Sequence, residues 1–436
     1  MKDDAKARRI RVLVIAEAAN PEWTSVPLIG WKLSRALAKI ADVHLVTQIR
    51  NRDAITRAGL IEGRDFTAID NERVAAPLTK FAYGFGGKVG KGWTIISAFS
   101  ALYYYAFEFQ VWRHFRARLK AGEFDIVHRI TPLSPTSQSI IAKRLHKLGI
   151  PFVLGPLNGG VPWPKHFKDR QYAEREWLSH VRWLYKLMPG YRSTRRHSAA
   201  IIAGSRYTLS EIPRWAREKC VYIPENGVDG DMLNDSRDRS PHHPLQAAFV
   251  GRLVPYKGAD ILIEASADFL KNRQLELHIV GDGPQRAELE AMVDRLGIRS
   301  SVQFHGWIPQ RDVQERLRQC DVMVLPSVRE FGGGVVVEAM ALGVTPVVAD
   351  YAGPSELVDE HTGIRVPFSD KPSLVVGMRR EIADLIRSPE TLESLGAAAR
   401  RRAGEKLTWD AKANQILEVY KAVMAGVKNL NTLGFR

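Results

Sequence analysis

The chain of 436 residues has only two cysteines, Cys220 and Cys320. That is too few for a disulfide framework and fits a reducing, cytoplasmic setting. No run of about 18 uncharged apolar residues occurs, so no membrane-spanning helix is expected. The opening "MKDDAKARRIRVLVIAEA" has an apolar stretch too short for a secretory leader and reads as a first buried strand. Acids are scarce, with 48 Asp and Glu against 63 Lys and Arg, for a net charge of +15. This shortage favours acidic partners such as nucleic acid, anionic lipid or a phosphorylated substrate. No nucleic-acid module pattern is present, so nucleic acid is set aside. No strand is followed by a complete G-x-G-x-x-G, which argues against an NAD-dependent oxidoreductase. "GFGGKVGKGW", residues 84–93, lacks the spacing and the Ser/Thr after lysine of a phosphate-loop hydrolase. The one Asp-x-Asp, Asp229 to Asp231, sits in a turn, so no metal site is expected.

What the chain does have is alternation. β-branched runs such as "IRVLVIAEA", "VHLVTQ", "FDIVHRI" and "PFVLGPL" are separated by amphipathic stretches, and the second half repeats this with "AAFVGRL", "LELHIVGDG", "DVMVLPS" and "TPVVAD". Continuous apolar strands alternating with helices mean parallel sheets covered on both faces. Two such series predict an α/β chain of two doubly wound, Rossmann-like domains. The divide falls near "VYIPENGVDGDML", where Pro224, Asn226, Gly227 and Gly230 cluster. The domains are therefore 1–223 and 224–406, with a closing amphipathic helix at about 407–425. The aromatic segment Trp93 to Lys120 ends in Arg113, Arg116, Arg118 and Lys120. It reads either as a core helix with a solvated end or as a helix lying in an anionic membrane interface. The segment Lys165 to Arg196 is also basic and rich in Trp and Tyr.

In a doubly wound sheet the ligand sits beyond the carboxyl ends of the strands. "GRLVPYKG" puts Arg252 and Lys257 in such a loop, where two cations suit a diphosphate. "HIVGDGP" turns at Gly281 and Gly283, a weak signal by itself, and "ADYAGPSE" places Gly353 and Glu356 at a third strand end. The most informative stretch is "EFGGGVVVEAMALG", in which Gly332, Gly333 and Gly334 lie between Glu330 and a helix carrying Glu338. Backbone N–H groups at a glycine-rich helix start bind anions. A carboxylate beside an anion site is repelled by the anion and is better used to accept hydrogen bonds from hydroxyls. Anion donors with two hydroxyl acceptors describe a nucleotide-sugar site.

Together, "GRLVPYKG", "GDGP", "EFGGGVVVEAMALG" and "AGPSELV" resemble the donor-binding half of the retaining family-4 (group 1) glycosyltransferases of GT-B fold, over about Ala247 to Val366. The resemblance implies two domains facing each other across a cleft, with "LTWDAKANQILEVY" returning to the first domain. It implies that Arg252 and Lys257 hold the donor diphosphate, that Glu338 holds the ribose, and that Glu330 meets the sugar near its anomeric carbon. The activity it implies is a metal-independent, retaining transfer of a sugar from a nucleotide-sugar co-substrate, with no other cofactor.

The first domain matches the family more loosely. "FDIVHRITPLSP" stands where the family often has Asp-x-x-His-x-His, but Ile130 replaces the second histidine. His128 is thus either a catalytic residue or a buried structural one. Gly30 stands alone in place of an early glycine pair, and "GPLNGGVPWP" offers Asn158, Gly159 and Gly160 on the acceptor side. The basic first domain points to a glycan or lipid-linked acceptor and to peripheral attachment at an anionic inner membrane face. The alternative is a partner subunit that keeps the fold and binds a nucleotide sugar without activity. The missing second histidine leans that way, and the intact Arg252, Lys257, Glu330 and Glu338 lean against it.

Overall fold

The computed structural model describes residues 8–72, 93–173, 185–234 and 241–434. The glycine-rich stretch 84–92, and residues 174–184 of the second basic segment, lie outside the described residues. Two all-parallel sheets organise the chain. The first holds β1 (Arg11–Ala16), β2 (Asp42–Gln48), β3 (Phe66–Ile69), β4 (Ile126–Thr131), β5 (Phe152–Leu157), β6 (Ala200–Ala203) and β7 (Cys220–Tyr222), in the order β3-β2-β1-β4-β5-β6-β7. The second holds β8 (Leu245–Val250), β9 (Leu275–Val280), β10 (Val302–Gly306), β11 (Val322–Leu325), β12 (Thr345–Ala349) and β13 (Ile364–Val366), in the order β10-β9-β8-β11-β12-β13. The runs are apolar on both faces because helices cover both, and β4, β5 and β12 are buried throughout.

In each sheet the strand order reverses once, between β1 and β4 and between β8 and β11. At such a switch point the two connecting chains leave in opposite directions and open a crevice at the carboxyl ends. In the second sheet β11 pairs with β8 through Val322 opposite Ala247 and Met323 opposite Ala248. The loops that follow these two strands carry the residues of the candidate site.

The chain divides into two compact units, one of Met1–Gly160, Leu178–Glu225 and Lys412–Arg436, the other of Val161–Trp177 and Asn226–Ala411. The division near residue 225 lies within two residues of the boundary read from the turn cluster. Val161–Trp177 differs from the sequence reading, which assigned it to the first domain. Its Phe167 is 3% exposed in the core of the second unit, and its Arg170 pairs with Asp260 at 2.7 Å. Burial of an aromatic ring and a half-buried ion pair outweigh sequence proximity here.

The helix Trp93–Lys120 resolves between its two readings. Tyr104, Phe107, Val111, Phe115 and Leu119, spaced three and four apart, are buried in the first unit's core. Arg113, Arg116 and Lys120 face solvent. Its described side chains make it a core helix, with Phe109 left exposed on its outer side. No described helix is long and apolar enough to cross a membrane.

The closing helix Trp409–Met424 joins the first unit from Lys412 onward. Lys412 donates to the Pro224 carbonyl, and burial lowers its pKa to about 7 against the opposing pull of Glu225. Tyr420 reaches His128 on β4 at 2.6 Å, and the other ring nitrogen meets the Gly155 carbonyl at 2.7 Å. A carbonyl can only accept, so Nε2 carries the proton and Nδ1 accepts from the Tyr420 hydroxyl. His128 is fully buried, and burial pushes its pKa down to about 4 despite the Gly155 contact. The catalytic alternative for His128 is therefore corrected: both nitrogens are committed and neither reaches solvent. Tyr420→Phe is expected to leave Nδ1 buried without a donor and to cost about 1–3 kcal/mol. Denaturant unfolding of the variant against the parent measures this, and an unchanged midpoint contradicts it.

Candidate functional site

The loop after β8 runs from Gly251 to Gly258 and the loop after β11 from Pro326 to Gly333. They are tied by backbone contacts, Val328 N–H donating to the Tyr256 carbonyl at 2.9 Å and the Ser327 hydroxyl to the same carbonyl at 3.2 Å. A Cβ on Gly258 would lie 2.4 Å from the Pro326 carbonyl oxygen, so only glycine lets the loops approach this closely. The approach brings Lys257 and Glu330 into an ion pair with both side chains largely buried. Burial alone lowers the pKa of the Lys257 ammonium, but Glu330 and Tyr256 more than offset it, and the net shift is upward. The ammonium also lies 5.9 Å above the Tyr256 ring. Arg252, half-buried, stands in the same loop.

The glycine-rich turn leads directly into a helix. Gly333 has a φ of +63° and opens the helix Gly334–Ala341. That left-handed backbone strains any residue with a Cβ, and it points the first helical N–H groups out of the turn. Gly332 lies before it, and Gly334 packs near Asn226, whose Oδ1 is 3.4 Å from where a Cβ would be. The "AGPSE" block supports the turn from beneath: Gly353 N–H donates to the Glu330 carbonyl at 3.2 Å. Gly281, at the end of β9, packs against the Gly251 carbonyl. Its N–H donates to the Gly306 carbonyl at 2.8 Å.

Glu338, one turn into the helix, accepts from Gln310 Nε2 at 2.7 Å. Burial raises its pKa to about 7, and the neighbouring Asp229 adds to the rise. Gln310 and Asp229 were not among the sequence candidates. Asp229 was read as a turn residue, and Gln310 has no local signal, because only the fold brings it to Glu338. Tyr256, Trp163 and Arg329 were missed for the same reason.

The acceptor-side candidates belong to the first unit. Gly30 is buried in the helix Val26–Ile40 against the Ala18 carbonyl, a packing role. Asn158 is 5% exposed, and its side-chain oxygen accepts from the Gly159 N–H at 2.7 Å. The Gly159 carbonyl accepts from the Thr208 hydroxyl at 3.3 Å, and Gly160 closes the segment with a φ of +86°. These contacts hold the loop after β5 in shape. They do not join His128 to any solvent-facing group.

Two doubly wound units on one chain, with a cationic loop facing a glycine-rich helix start in the second, define the GT-B class of fold. Solved structures share it. Anabaena HepE, crystallised with UDP, aligns with a TM-score of 0.61 over 95% of this chain and 100% of that one, at 17% identity. Sucrose-phosphate synthase of Thermosynechococcus elongatus aligns with a TM-score of 0.58 over 96% and 100%, at 20% identity. Residues 234–402, which lie within the second unit, match the family model "Glycosyl transferases group 1". An uncharacterized glycosyltransferase of Methanocaldococcus jannaschii is 34% identical over 177 residues, 40% of this chain and 44% of that protein. The D-inositol 3-phosphate glycosyltransferase of Streptomyces bingchenggensis is 32% identical over 218 residues, 47% of each. The aligned stretches thus span less than half the length of these curated relatives.

Glu338 makes a pH prediction. Its folded pKa is raised, so the penalty for ionising it is absent below the unfolded value of 4.5 and complete above about 7. If the ionised carboxylate accepts ribose hydroxyls, nucleoside diphosphate affinity should rise about tenfold between pH 6 and pH 8. Glu338→Gln should remove that part of the rise, because its amide does not titrate. Calorimetric titrations of both proteins at the two pH values measure the difference, and parallel profiles would contradict it.

Proposed function

We propose that this protein moves a sugar from a nucleotide-sugar donor to a hydroxyl acceptor, with retention and without a metal. The observation that carries the reading is the Lys257–Glu330 pair set beside the glycine-rich start of the helix that bears Glu338. In this reading Arg252, Lys257 and the helix N–H groups neutralise charge that develops on the leaving diphosphate. Glu338 accepts from the ribose. Glu330, released from Lys257 when the diphosphate takes over the ammonium, stands near the anomeric carbon as the glycosidic bond breaks. HepE was crystallised with UDP, which makes UDP the first nucleotide to try. The +15 net charge supports a glycan or lipid-linked acceptor at an anionic membrane face, and the cytoplasmic side is proposed with it.

Lys257→Ala should weaken nucleoside diphosphate binding about 10- to 100-fold, the loss of one charge-assisted contact of about 1.5–3 kcal/mol. Calorimetric titration with UDP, GDP and ADP checks it, and unchanged affinity rules the role out.

Glu330→Gln should instead lower kcat and kcat/KM together while nucleotide affinity changes little, because an interaction made only in the transition state is lost. Release of nucleoside diphosphate from a panel of sugar nucleotides gives the rates. A raised KM with unchanged kcat would assign Glu330 to ground-state binding.

A further inference from the structure

Residues 161–173, which follow the loop after β5, belong to the second unit. Their contacts fall on the elements that carry Lys257 and Glu330. The Trp163 ring meets the Tyr256 ring edge-on, with centroids 6.2 Å apart and planes at 89°. The Arg329 guanidinium lies over the same indole at 4.9 Å and over Phe331 at 5.0 Å. Arg329 is 7% exposed, and its Nε donates to the Val161 carbonyl at 3.2 Å. Arg170 clamps the Pro255 carbonyl and Asp260. The Pro162 carbonyl accepts from the Tyr351 hydroxyl at 2.9 Å.

These contacts form a closed circuit. Tyr256 precedes Lys257 in the chain, and Arg329 and Phe331 flank Glu330. Trp163 is the wedge between Tyr256 and Arg329, and the circuit closes through the Lys257–Glu330 pair. A planar guanidinium stacked on aromatic faces in a dry setting is held more firmly than a lysine ammonium would be. The indole Nε1 is buried and has no hydrogen-bond partner among the described residues. The ring is thus used for its shape and faces, and a phenyl ring can do the same work.

We infer that Trp163 and Arg329 are positioning residues for the diphosphate and sugar site, setting the separation and direction of Lys257 and Glu330. The inference rests on the donor-site reading of that pair. Removing the wedge lets the two loops relax, and small misplacements of charged groups at a reacting centre are costly.

The test uses the full chain with UDP, GDP and ADP in titration calorimetry. In Trp163→Ala, affinity for the nucleotide that the parent binds should fall about fivefold or more, with Trp163→Phe restoring it to within about twofold. Because Trp163 acts through Lys257, adding Trp163→Ala to Lys257→Ala should cause no further loss. Parental affinity in Trp163→Ala overturns the inference, and so does a loss that multiplies in full on the Lys257→Ala background, which marks general loosening. If melting shows that Trp163→Ala does not fold, Arg329→Lys and Arg329→Met replace it. Both should then bind more weakly than the parent, and parental affinity in both overturns the inference. A parent that binds none of the three nucleotides while Lys257→Ala folds normally overturns the donor-site reading itself, and this inference falls with it.

Discussion

Lys257 and Glu330 are 73 positions apart in the chain, and their ion pair holds together the two loops on which the second unit's site is built. Each charge alone would be costly in that position. Lys257 loses hydration and has Arg252 nearby, and both effects oppose its charge. A lone carboxylate in the same partly buried loop would lose hydration without a counter-charge. Paired, each neutralises the other.

The scaffold around the pair is made of close backbone approaches. Gly258 against Pro326, Gly281 against Gly251 and Gly353 against Phe331 leave no space for a Cβ at any of the three positions. Such contacts transmit strain because packed interiors yield little. Trp163 and Arg329 add a side-chain brace where backbone contact stops. Glu338 sits on the opposite side of the glycine turn, and its burial beside Asp229 keeps it partly protonated near neutrality. Two carboxylates eight positions apart thereby stand in different environments, Glu330 against Lys257 and Glu338 against Gln310 and Asp229.

The first unit shows how far a motif can mislead. "DIVHRI" places His128 on β4, a strand buried throughout, with both ring nitrogens spent on Tyr420 and Gly155. The histidine fastens the closing helix to the sheet. In Trp93–Lys120, likewise, Tyr104, Phe107 and Phe115 serve packing while Arg113, Arg116 and Lys120 face water.

Much of this architecture was legible in one dimension, because strand and helix periods, glycine turns and the Glu330–Glu338 spacing are local quantities. They determined two doubly wound units and a glycine-rich turn that opens a helix. What local pattern could not carry was partnership across the chain. The pairing of β8 with β11 set Lys257 against Glu330, the return of Val161–Trp177 put Trp163 and Arg329 behind them, and the fold alone brought Gln310 and Asp229 to Glu338. These contacts depend on which loops the switch point places side by side and on how much water is excluded there. Sequence spacing holds no record of either, so only the tertiary structure decided them.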